Sequence, residues 1–114
     1  MVIELEMVGQ IAVLKLNGTL TLSDGEGLLK DKIRSLIQQG NRRIALDLGG
    51  LSYLDSAGLG ELVSVHTTVT RGGGQIRVFN ITKRVNDLLA ITKLLMALDA
   101  FDSKEEALKS LTNP

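Results

Sequence analysis

The stretch RIALDLGGLSYLDSAGLGELV, residues 43–63, joins two patterns of different period. Ile44, Leu46 and Leu48 alternate with Arg43, Ala45 and Asp47, the two-residue period of a β-strand. From Gly58 to Thr70, Leu59, Leu62, Val63 and Val69 recur at helical spacing, and Arg71-Gly72-Gly73-Gly74 ends that helix. The strand gives way to the helix at Asp55-Ser56. The serine there has three readings: a catalytic nucleophile, a helix cap or a hydroxyl that another protein modifies.

Working outward, Ile3, Leu5 and Met7 alternate with Glu4 and Glu6, which predicts a half-exposed strand. Gly9-Gln10 turns the chain into a second apolar run, Ile11 to Leu16, and Asn17-Gly18 is expected to end it. Ser23 and Glu26 have capping-box spacing and predict a helix start, there or a little later because Gly25 and Gly27 weaken the first turn. Leu29, Ile33, Leu36 and Ile37 form its apolar stripe, and Gly40 is its expected left-handed C-cap. After the central unit, Gln75 to Asn80 reads as a fourth strand, with Ile76 and Val78 on one side and Arg77 on the other. Thr82 is the expected cap of a helix bearing Val85, Leu88 and Leu89. The segment from Leu95 to Phe101 suggests a short edge strand, and Ser103 with Glu106 makes a second capping box before Ala107, Leu108 and Leu111. The expected architecture is α/β: one domain spanning residues 1–114, with a mixed β-sheet of four to five strands and packed helices.

Composition narrows the function classes. Thirteen basic residues balance thirteen acidic ones, so the overall field favours neither nucleic acid nor an anionic membrane surface. Arg42-Arg43 and Lys83-Arg84 are pairs and not runs. Three aromatic residues, Tyr53, Phe79 and Phe101, offer little for base stacking. The chain has no cysteine and one histidine, which removes disulfides and thiolate chemistry and argues against a metal site. MVIELEM is too acidic for a signal peptide, and LLAITKLLMALDAF is too short and too charged to span a bilayer. A cytoplasmic protein without a cofactor is expected.

The same chemistry weighs the readings of Ser56. A nucleophile elbow needs Gly-x-Ser-x-Gly, but Leu54 occupies the first glycine's position. The only histidine, His66, lies ten residues along the same predicted helix, roughly 15 Å away, too far to act as its base. Gly58-Leu59-Gly60 lacks the third glycine of a dinucleotide fingerprint, and no Gly-Lys-Ser/Thr follows Gly72 to Gly74. Gly58 and Gly60 weaken the first helical turn, which suggests close backbone approach to the sheet behind or to a partner in front. A cap shared with Asp55 and a phosphoacceptor remain. They are compatible, because a helix N-terminus tolerates added negative charge.

LDLGGLSYLDSAGLGELV resembles the signature of STAS domains, specifically the anti-sigma factor antagonists. The early NGTL, the GGGQIRVFNIT segment, KRVNDLLAITKL and FDSKEEAL follow in that family's order. The resemblance implies a non-enzymatic binding module, with no metal. Its partners would be an anti-sigma factor that is a serine kinase of the histidine-kinase-like ATPase fold, and a PP2C-type phosphatase. Direct nucleic-acid or membrane binding is not implied. Ser56 would be the phosphoacceptor, with Asp55, Ala57, Gly58, Leu59 and Gly60 around it on the docking surface and Thr21, Ser23 and Asp24 completing it. Binding to the unphosphorylated form would free a sigma factor. Ala57 removes the second hydroxyl that many relatives carry, and Thr21 stands near where many have an aspartate. As an alternative, a STAS accessory module of a transport system or a small-ligand binder would use Ser56 only as a cap.

Overall fold

A computed structural model describes residues 1–25, 27–93 and 95–112. Ile44, Leu46 and Leu48 do point to one side of a strand, β3 (Arg43–Leu54), and all three are buried. Ala45, on the opposite side, is buried as well, because β3 lies at the centre of the sheet and both of its faces are covered. A parallel central strand loses water from both sides.

Five strands lie in the order β1-β2-β3-β4-β5. β1 (Val2–Val8) is antiparallel to β2 (Ile11–Leu20), and β2, β3, β4 (Gln75–Phe79) and β5 (Ala100–Phe101) are mutually parallel. Helices α1 (Leu28–Gln38), α2 (Ser56–Arg71) and α3 (Lys83–Thr92) contribute to the larger core on one face. Helix α4 (Lys104–Thr112) closes the other face, where Ala107 and Leu111 pack with Ile11, Val13, Ala45 and Phe79. A turn of 3-10 helix at Leu95–Leu98 precedes β5. The mixed sheet with packed helices is the architecture expected from the sequence.

Three local expectations need correction. Asn17-Gly18 does not end the second strand: β2 runs on to Leu20, with register shifts on either side of those residues. Gly18 takes φ 111°, and the hydroxyl of Ser52 donates to its carbonyl at 3.1 Å. A bulge can use the same Asn-Gly pair as a turn. The first helix starts at Leu28, not at Ser23; Thr21 to Gly25 form a closed turn, and the Glu26 half of the proposed capping box lies outside the described residues. In β1 the apolar side is largely exposed, with Leu5 at 42% and Met7 at 48%, because β1 is the outer edge of the sheet.

Other signals hold. Gly40 takes φ 92° after α1, where its N–H donates to the Ile37 carbonyl and that of Asn41 to the Leu36 carbonyl, the paired bonds of a Schellman ending. The hydroxyl of Thr82 accepts from the Val85 N–H at 3.3 Å to cap α3, and that of Ser103 accepts from the Glu106 N–H at 3.2 Å. The fourth strand ends at Phe79, one residue early, because Asn80 turns to φ 56°.

Candidate functional site

The extension of β2 to Leu20 builds the site. Parallel pairing sets Leu20 beside Leu54, so β2 and β3 end together. Helix α2 begins two residues beyond that point, and α1 begins after the turn that follows β2. The starts of both helices therefore meet at the carboxyl ends of the strands, the edge where open α/β sheets usually present their ligand-binding residues.

At the junction, Asp55 and not Ser56 is the N-cap. Its backbone is extended (φ −102°, ψ −173°), and Oδ1 accepts from the Gly58 N–H at 2.9 Å. Its other oxygen accepts from the Leu22 N–H at 3.0 Å. One carboxylate thus ties the helix start to the β2–α1 turn across 33 positions of sequence. The Leu22 N–H chiefly, and then that of Gly58, hold the Asp55 carboxyl below its ordinary range, because both bonds favour the charged form. Ser56 is the first residue of α2 and is exposed. Its hydroxyl makes no hydrogen bond among the described residues, so the expected capping role passes wholly to its neighbour.

The two glycines of the motif have different roles. A Cβ on Gly58 would lie 2.8 Å from the carbonyl carbon of Leu20 and closer still to its oxygen, so only glycine lets α2 sit against the end of β2. Gly58 and Leu59 are buried, whereas Gly60 is exposed and a Cβ there would meet nothing within 4 Å. Of the two approaches expected from the sequence, the one at Gly58 is to the sheet. Open surface is left at Ser56 and Gly60, with Ala57 half-buried between them.

The turn from Thr21 to Asp24 is internally closed. Thr21 N–H donates to the Asp24 carbonyl at 2.8 Å, and the Thr21 hydroxyl accepts from the Asp24 N–H at 3.1 Å. The Asp24 carboxylate receives the Met1 ammonium at 2.6 Å and the Thr19 hydroxyl, and in that order of strength they lower its pKa. Ser23 is exposed, and Leu22 between them projects an apolar side chain that is 65% exposed. The structure therefore brings Thr21, Ser23 and Asp24 to the same edge as Asp55 and Ser56, linked through Leu22.

Sequence reasoning missed three residues here and nearby. Leu22 carried no signal, being a lone leucine in a polar turn. Glu61 is 4% exposed, and its carboxylate accepts from the Gly27 N–H at 2.7 Å and the Lys30 N–H at 3.4 Å. Neither partner is visible in a linear pattern. Asp99 lies 2.8 Å from His66 Nε2, so the histidine at the boundary of α2 has a partner 33 residues away. No group of three potential metal ligands occurs among the described residues, and none of their helices is long and apolar enough to cross a membrane.

The site is thus an exposed serine on a carboxylate-capped helix start of a small α/β unit. The family model that matches residues 2–107 is the STAS domain, and the chain belongs to that family. Among curated relatives, the anti-sigma F factor antagonist of Paenibacillus polymyxa is 24% identical over 109 residues, covering 96% of this chain and 93% of that protein. A crystal structure of an anti-sigma factor antagonist from Mycobacterium paratuberculosis shares the fold with TM-score 0.85 at 16% identity, covering 98% of this chain and 94% of that one. The anti-sigma factor antagonist SpoIIAA in its unphosphorylated form has TM-score 0.73 at 24% identity, covering 99% of this chain and all of that one.

Proposed function

We propose that this chain is an anti-sigma factor antagonist whose binding to an anti-sigma serine kinase is switched by phosphorylation of Ser56. The observation that carries this reading is the division of labour at the start of α2. Asp55 satisfies the helix, and the Ser56 hydroxyl is left exposed and uncommitted. A phosphate there would add about 1.5 to 2 negative charges to a small, flat surface. The fold tolerates it, since the N-terminal end of α2 favours negative charge. A partner seated over Ser56, Ala57 and Gly60 would lose both its fit and its electrostatic match.

The relatives' names support the anti-sigma part of this reading, and SpoIIAA is known in a phosphorylated form, which supports the switch. In this scheme the module works by binding and not by turnover. The partner is a kinase of the histidine-kinase-like ATPase fold, the sigma factor is freed while Ser56 is unmodified, and a PP2C-type phosphatase restores the binding form. The interaction takes place in the cytoplasm.

The experiment mixes the chain with the anti-sigma serine kinase of its source organism and ATP. Mass spectrometry is expected to find one phosphate, on Ser56. Ser56→Ala retains binding and accepts no phosphate, and Ser56→Asp loses binding. No modification, together with Ser56→Asp binding as tightly as the unaltered chain, refutes the switch. That outcome is the one expected of an accessory module of a transport system or a small-ligand binder.

A further inference from the structure

Helix α1 reaches the site without a cap of its own. It starts behind Gly27, which is left-handed at φ 80° and offers no side-chain bond. The first N–H groups of a helix have no acceptor within it and must find one elsewhere. Leu28 N–H donates to the Gly25 carbonyl at 3.0 Å, and the N–H groups of Gly27 and Lys30 both donate to Glu61 on α2. Glu61 is the one buried charged residue among those described. A buried carboxylate persists only where hydrogen bonds and positive potential compensate its lost hydration. Both are supplied here: two N–H donors, and the positive end of α1, from which those donors come.

We propose that Glu61 is a positioning residue that clamps the start of α1 onto α2 and so fixes the Thr21–Gly25 turn relative to Ser56. The turn is held on both sides from one helix: Asp55, the N-cap of α2, grips the Leu22 N–H, and Glu61 in its second turn grips Gly27 and Lys30. With either grip alone the segment could pivot about the other. With both, Leu22, Ser23 and Ser56 present one surface. The consequence for partner binding rests on the docking reading above; the clamp itself does not.

The test uses the full chain with Glu61→Gln, which keeps size but turns an amide donor toward one of the two N–H groups, and Glu61→Leu, which fills the space and leaves both unpaired. Exchange of the Gly27 and Lys30 amide hydrogens is expected to accelerate at least tenfold relative to core amides such as those of Leu46 and Val78. Because the chain has no cysteine, spin labels at Ser23→Cys and Thr67→Cys report the distance from the turn to α2 without background. Its distribution is expected to broaden in both variants, while a control pair at Thr67→Cys and Lys109→Cys stays narrow. With an anti-sigma kinase that modifies Ser56, Glu61→Gln is expected to raise KM at least fivefold with kcat within twofold. A merely structural defect would instead lower kcat with the folded fraction. Wild-type exchange at Gly27 and Lys30 with an unchanged label distance in Glu61→Gln overturns the proposal, and because that variant is close to isosteric the test survives if Glu61→Leu fails to fold. A lost clamp with unchanged KM supports the positioning role and overturns the inclusion of the turn in the docking surface.

Discussion

Alanine substitutions at Gly58 and Gly60 should move stability in opposite directions, although the two glycines lie two residues apart in the same helical turn. An isolated helix gains about 1 kcal/mol from either change, because glycine is the poorer helix former. At Gly60 the added methyl meets nothing within 4 Å, so most of that gain should survive and Gly60→Ala should stabilise by about 0.5–1 kcal/mol. At Gly58 the new Cβ lies 2.8 Å from the Leu20 carbonyl carbon, whereas carbon atoms in contact sit about 3.5–4.0 Å apart. The Leu20 oxygen is nearer still, so helix α2 would have to retreat by more than about 1 Å from β2, and a backbone carbonyl cannot rotate aside as a side chain can. Overpacking of this kind costs about 1–3 kcal/mol and occasionally more. A backbone obstacle belongs at or above the upper end, so Gly58→Ala should destabilise by about 2 kcal/mol even after the helix gain. Urea titration followed by circular dichroism measures both. With a slope of about 1–3 kcal/mol per molar, Gly58→Ala lowers the midpoint by about 1 M and Gly60→Ala raises it by a few tenths. A Gly58→Ala midpoint at or above that of the unaltered chain, with unchanged slope, would refute the close approach. The same pair separates stability from recognition, because Gly60→Ala should fold better yet weaken a partner seated over Ser56.

Ser56→Ala should change the unfolding free energy by less than about 0.5 kcal/mol, since the hydroxyl is exposed and caps nothing; a loss beyond 1.5 kcal/mol would return the cap to the serine. Asp55 gives a pH signature. Its folded pKa lies below the unfolded value of 3.8, so its stabilisation is complete above that value and is lost as pH falls through the lowered folded one. The urea midpoints of the unaltered chain and Asp55→Asn should therefore differ at pH 6 and converge on acidification from about pH 5 toward pH 2; a constant gap would show that the ionised carboxylate is not the source. Thr82→Ala removes the acceptor of the Val85 N–H and should cost about 1 kcal/mol, read from the same titrations.

Local signals dictated most of the elements. Alternation in residues 43–48, the stripe from Leu29 to Leu36, the left-handed glycine at position 40 and the caps at Thr82 and Ser103 each act over a few residues, so a linear reading recovers them. The candidate site was legible in part for the same reason. Asp55-Ser56 had to stand at a helix start, because the period of the chain changes there. What the sequence left open was which of the two residues caps, and toward what the glycines make room. Those answers depend on atoms far away in the chain: the Leu22 N–H that engages Asp55, and the Leu20 carbonyl that forbids a side chain at Gly58.

The reading of Asn17-Gly18 as an end shows the limit most clearly. Alone, that pair favours a turn, but parallel hydrogen bonding to Gly50, Leu51, Tyr53 and Leu54 carries the strand past it. Without that extension Leu20 would not reach Gly58. Glu61 is the extreme case, a glutamate on an amphipathic helix that any linear reading places in water, buried because the uncapped start of α1 needs its oxygens. By itself the sequence determined the strands, the helices and the position of the serine, since hydrophobic period, capping and turn chemistry are short-range. Tertiary structure alone decided how the β2–α1 turn and the start of α2 become one surface. The unpaired N–H groups of one segment can be satisfied only by carboxylates that folding brings from another.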